Sequence, residues 1–130
     1  MKKIHSINNK NIKKIKTLHD IFECQKKFQE RLYSINFDTL PLSYRIKILK
    51  DYVIGLLSEI GEVFQLLPYK FWRKQRIIKV NKKHLKEELI DVFIYVVNLF
   101  VLFGFSEKDL LTEYSKKYDK ILKRFKQRKK

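Results

Sequence analysis

The run Asn81-Lys82-Lys83-His84-Leu85-Lys86-Glu87-Glu88-Leu89-Ile90-Asp91-Val92-Phe93-Ile94-Tyr95-Val96-Val97-Asn98-Leu99-Phe100-Val101-Leu102-Phe103-Gly104 carries the strongest structural signal in the chain. From Leu89 to Phe105 it is almost wholly apolar, and it matches the shortest membrane-spanning helix, roughly 17 residues. Asp91 and Asn98 interrupt it, and Glu87 and Glu88 precede it. Polar groups at mid-membrane depth are costly. The run therefore reads as a core helix from about Asn81 to Phe103, buried nearly all round, with Gly104 as its stop. A four-helix monomer of this size struggles to surround a helix on every side. A homo-oligomer is expected, most simply a dimer with this helix near the interface.

Outward from this run the chain reads as further helices. Before it, Leu18, Ile21, Phe22, Gln25, Phe28, Gln29 and Leu32 recur at three- and four-residue steps, predicting a helix over about 16–33. Asn36 to Pro41 breaks the pattern, and Ser43 is the expected N-cap of the next helix. That helix runs from about Tyr44 to Leu67, with Ile46, Leu49, Val53, Leu56, Leu57, Ile60, Val63, Phe64 and Leu67 as its apolar face and Pro68 as its end. A basic connector from Tyr69 to Val80 holds the only tryptophan, Trp72. After Gly104, Ser106 and Asp109 form a capping box for a last helix, to about Lys126. Long helices with short connectors predict an all-α, antiparallel four-helix bundle. The expected division is a basic N-terminal tail over 1–15, one domain over 16–127 and a basic tail over 128–130.

Composition agrees. The 130 residues include three Gly, two Pro and no Ala, and 45% are hydrophobic. That excludes a turn-rich β fold and wholesale disorder. One cysteine, Cys24, excludes an intrachain disulfide and a cysteine zinc cluster, and fits a reducing, cytoplasmic setting. Its expected place is buried beside Phe28. The N-terminus shows no apolar signal-peptide core. The net charge of +16 suggests a polyanion, but it concentrates at the ends: residues 1–16 hold six Lys and no acid. Such tails are commonly solvated.

The acids carry more information. Glu59 and Glu62 lie three apart on one predicted helix; Glu88 and Asp91 lie three apart on the next. Residues three apart share a helix face. If the helices pack antiparallel, four carboxylates converge. Such a cluster pays heavily in repulsion and desolvation unless a cation neutralises it. Oxygen-only ligands select Mg²⁺, with Mn²⁺ as a substitute, and Mg²⁺ pairs naturally with nucleotide polyphosphates. A single i,i+3 acidic pair is commonly a solvated face; two pairs on adjacent helices argue for a site. Tyr95 and Asn98 continue the Glu88–Asp91 face. Asn98 and Gln25 each read equally as a base reader or a satisfied core amide. Trp72 reads as a base-stacking residue or a packing anchor. His5, His19 and His84 show no ligand spacing and read as surface residues.

Glu59-x-x-Glu62, then Tyr69-Lys70-Phe71-Trp72-Arg73-Lys74, then Glu87-Glu88-Leu89-Ile90-Asp91 together resemble the all-α nucleotide pyrophosphohydrolases. Within that superfamily the chain is most similar to the dimeric all-α dUTPases, with MazG-like enzymes as cousins. The resemblance spans roughly residues 18 to 126. It implies a magnesium-dependent nucleoside triphosphate pyrophosphatase that converts dUTP and water to dUMP and pyrophosphate. It implies Glu59, Glu62, Glu88 and Asp91 as ligands of two or more Mg²⁺, with Glu59 or Glu62 as the catalytic carboxylate that orients water. It implies Gln25, Trp72 and Asn98 at the base, and Lys70, Lys74, Lys117 and Arg124 at the phosphates. Ser58 replaces the first Glu of the MazG-like EExxE, favouring the dUTPase branch. Gln29 and Ile121 stand where these dUTPases tend to have Asn. A MazG-like enzyme acting on other nucleotides is the neighbouring reading. A non-catalytic basic helical protein that binds nucleic acid is the reading from another class, and it leaves the paired carboxylates unexplained.

Overall fold

The computed structural model describes residues 15–67 and 80–129, and all its regular structure is helical: α1 Leu18–Tyr33, α2 Leu42–Gln65, α3 Lys82–Leu102 and α4 Glu107–Arg128. The all-α bundle expected from the sequence is the fold. The ends are set locally. Thr17 caps α1 by accepting from the Asp20 N–H, and the Asp20 carboxylate accepts from the Thr17 N–H at 3.0 Å. Asn81 caps α3, and the Ser106–Asp109 capping box opens α4 as expected. Gly104, at φ +77°, ends α3. Its N–H donates to Val101 O, the Phe105 N–H donates to Phe100 O, and the Phe100 and Phe105 rings meet edge to face.

Ser43 is not the cap of α2. The helix starts two residues earlier, at Leu42, with Pro41 in the capping position at φ −62°. Proline's fixed φ suits the approach to a helix start, and it has no N–H to satisfy there. Pro68, the expected terminator, lies outside the described residues.

Helix α3 is the centre of the body. It packs against both α1 and α2, and it runs antiparallel to α2, since Arg45 reaches Leu102 while Glu59 meets Glu88 and Asp91. Val97, Val101 and Leu102 of α3 meet Phe22 of α1, Ile48 and Tyr52 of α2, and Phe37 from the α1–α2 connector. Phe37 sits in the segment whose sequence shows only a break, yet it is among the most buried side chains, at 2% exposure. Burying such a ring contributes about 1.5–3 kcal/mol. Its backbone is held as well: its N–H donates to Glu30 Oε2 at 3.0 Å, and its carbonyl accepts from Arg45. The Arg45 guanidinium also donates to the carbonyls of Leu40 and Leu102. One side chain on α2 thus ties the connector to the C-terminal end of α3, where a cation also complements the helix dipole.

The buried residues of α2, Ile48 and Tyr52, lie outside the expected apolar face, of which Leu49, Leu56 and Val63 are only partly covered. Ile46, Val53, Leu57 and Ile60 point outward; Leu57 is 62% exposed. Burial of α3 is likewise confined to its C-terminal half, since Leu89 and Ile90 are exposed. Helix α4 bends 106° from α3 and touches α1 near its start, where His19 Nδ1 lies 2.8 Å from Glu107 Oε1. None of its residues is buried. Cys24 is exposed rather than buried, as is Phe28, because Phe22 and Gln29 take the inward positions of α1. Among the described residues, no single helix is long and apolar enough to cross a membrane.

Candidate active site

The antiparallel packing of α2 on α3 brings the two acidic pairs together. Carboxylate oxygens of Glu59, Glu88 and Asp91 all lie within 4.8 Å of one another. Glu62 joins them, with its carboxyl against those of Glu88 and Glu59. The convergence anticipated from spacing is thus present in the fold. Burial, then the charges of Glu62, Asp91 and Glu88, hold the Glu59 carboxyl above the ordinary carboxylate range. Contact with Glu62, followed by burial, raises that of Glu88, while His84 pulls it back.

Glu59 Oε2 and Glu88 Oε2 are buried, and neither has a hydrogen-bond partner. Such atoms are costly to leave unsatisfied. An all-oxygen donor set with two orphaned buried carboxylate atoms suits a hard divalent cation. His84 is a surface residue as expected, and its Nε2 lies 3.1 Å from Glu88 Oε1. The i,i+4 spacing of His84 and Glu88 was the available signal.

One and two turns along the same face of α3, Tyr95 and Asn98 enter a cleft of about 440 Å³ between α1, α2 and α3. Gln25, Phe28 and Gln29 of α1 and Asp51 and Tyr52 of α2 complete most of its wall. Gln25 and Asn98 therefore share one cavity. Neither is a satisfied core amide, since Gln25 Oε1 and Asn98 Oδ1 are buried and unpartnered. Gln29 is buried too, but its Oε1 accepts from the Tyr52 hydroxyl at 2.7 Å. Tyr33 donates to Asp51 at 3.4 Å, and Tyr52 meets Tyr33 and Tyr95 edge to face. Gly55 makes room for this arrangement. A Cβ there would lie 2.4 Å from the Tyr95 ring. Of this cluster the sequence marks only Tyr95, through its place on the Glu88–Asp91 face; Tyr33 and Tyr52 carry no chemical signal of their own.

Lys117 and Arg124 lie on the exposed surface of α4, and neither contributes to the charges that shift Glu59 or Glu88. Lys70, Trp72 and Lys74 lie outside the described residues. No curated protein and no solved structure matches the chain. The dUTPase family profile matches residues 17–101, a span that runs from the Thr17 cap through α1, both acidic pairs and the cleft residues of α3. With four helices and no strand among the described residues, the chain belongs to the all-α dUTPase family.

Proposed function

We propose that this protein is a magnesium-dependent nucleoside triphosphate pyrophosphatase that hydrolyses dUTP to dUMP and pyrophosphate. The observation that carries this reading is one continuous face of α3. Asp91 in the carboxylate cluster and Asn98 in the cleft are seven residues apart, about 10 Å of helix. A nucleotide laid along this face puts its base in the cleft and its phosphates at the acids.

Glu59, Glu62, Glu88 and Asp91 would hold Mg²⁺, and the orphaned oxygens of Glu59 and Glu88 support that assignment. Bound there, Mg²⁺ supplies neutralisation of the triphosphate and a lowered pKa for the attacking water. Glu59 or Glu62 orients that water toward the α-phosphorus and takes its proton. The bond from the α-phosphorus to the bridging oxygen breaks, and pyrophosphate leaves. Lys70, Lys74, Lys117 and Arg124 stabilise charge on the phosphates. Gln25, Trp72 and Asn98 hold the base. The protein works as a cytoplasmic homodimer, and the outward stripe of Ile46, Val53, Leu57 and Ile60 supports a second copy as its cover.

Pyrophosphate release from dUTP, dCTP, dTTP, dATP and dGTP, each with Mg²⁺ and with EDTA, tests the proposal. Metal-dependent release led by dUTP is the expected result. Comparable release from several nucleotides would move the enzyme to a MazG-like role. Absence of release from all five would refute the enzymatic reading.

A further inference from the structure

The cleft contains three amides, and they are not equivalent. Gln25 Oε1 and Asn98 Oδ1 are buried without partners. Gln29 is tethered: its Oε1 accepts from Tyr52, whose ring is buried to 3% exposure between α1 and α3. An amide is planar, with its acceptor and its donor on opposite ends. With the oxygen committed to Tyr52, the NH₂ of Gln29 is the end left for a ligand. The Tyr52 hydroxyl donates to Gln29 Oε1 at 2.7 Å, and at 3% exposure it has no water to turn to, so turning the amide over would leave a buried donor without its acceptor. The tether is itself held, since Tyr52 packs edge to face on Tyr33 and Tyr95.

We propose that Tyr52 sets the base preference of this cleft by locking the Gln29 amide. The cleft then presents a fixed donor from Gln29 beside acceptors from Gln25 and Asn98. That pattern complements a 4-oxo pyrimidine with a protonated N3. The 4-carbonyl accepts from Gln29 Nε2, and the N3–H donates to one of the two orphaned oxygens. A 4-amino pyrimidine meets it with the opposite polarity, a donor against a donor and a lone pair against an oxygen. Without the tether Gln29 turns over at little cost and accommodates either base. This inference rests on the nucleotide reading above and assigns Tyr52 as a positioning residue, acting through Gln29.

The test is equilibrium binding of the non-hydrolysable α,β-imido analogues of dUTP and dCTP with Mg²⁺, by calorimetry, alongside steady-state kinetics on dUTP and dCTP. The wild-type chain is expected to prefer the uracil analogue by tenfold or more. Tyr52→Phe is expected to cut that preference about tenfold, with the loss in KM rather than kcat. A purely structural role for Tyr52 would weaken both analogues equally. Should Tyr52→Phe fail to fold by circular dichroism, Gln29→Met removes the Nε2 donor that the tether presents and is expected to lose the same preference. Unchanged base preference in the folded variants, with both analogues still bound and hydrolysis intact, overturns the proposal and leaves the pyrophosphatase reading standing. A wild-type chain that binds neither analogue and hydrolyses neither nucleotide overturns both.

Discussion

Glu59→Gln should make the metal-free protein more stable and the magnesium-treated protein less responsive. Carboxylate oxygens of Glu59 and Asp91 lie within 4.8 Å. Two unit charges at that separation repel by about 0.9 kcal/mol in a water-like dielectric, the suitable limit for a partly open site. For a domain of this size, relief of that repulsion raises Tm by roughly 3–5 °C. The sign also fixes a pH dependence. The folded Glu59 carboxyl titrates above its ordinary value of 4.5, so the stabilising protonated form is retained below that value and lost as pH rises through the folded one. In EDTA, the Tm advantage of Glu59→Gln should therefore widen as pH rises from about 4.5. Magnesium reverses the ranking. A cation at a hundredfold excess over its Kd contributes about 2.7 kcal/mol to the wild type, and Glu59→Gln should lose most of it. Differential scanning fluorimetry from pH 4 to 8, with EDTA and with a magnesium titration, measures both effects. A lowered Tm in EDTA together with an undiminished magnesium response would refute the cluster as a repulsive, cation-binding centre.

Replacing Arg45 with Met strands the Phe37 and Leu102 carbonyls, and should cost about 2–4 kcal/mol in urea unfolding. A loss below about 0.5 kcal/mol would show that water replaces the guanidinium at these carbonyls. Gly55→Ala gains helix propensity of about 1 kcal/mol but drives a methyl into the Tyr95 ring. Overpacking of this kind costs about 1–3 kcal/mol, so a net loss of stability and a raised KM for dUTP are expected; a more stable variant with unchanged KM would contradict the close contact. Leu57→Glu, on the outward face of α2, should shift the protein toward monomer in sedimentation velocity. A wild type that sediments as a monomer at all concentrations would remove the dimer from the proposal.

Much of the fold was legible because helix formation is local. The 3.6-residue period marked the helices, and side chains capable of capping marked α4 at Ser106 and Asp109. The acidic pairs were legible for the same reason, since i,i+3 spacing alone puts two carboxylates on one face. Periodicity did not say which apolar face turns inward. On α2 both a buried face with Ile48 and Tyr52 and an outward stripe with Leu57 and Ile60 satisfy the same spacing. Only the position of α3 distinguishes them.

Sequence by itself determined the all-helical class, the pairing of carboxylates on each helix and the family, because each rests on residues close together in the chain. Tertiary structure alone decided that Phe37 plugs the core from a connector and that Arg45 ties that connector to α3. It also decided that Gln29 is bound to Tyr52 while Gln25 and Asn98 keep their oxygens free. These outcomes depend on contacts across 8 to 57 residues of chain, such as Arg45 with Phe37 and with Leu102. Side-chain hydrogen bonding over such separations follows from how whole helices pack, and no local pattern encodes it.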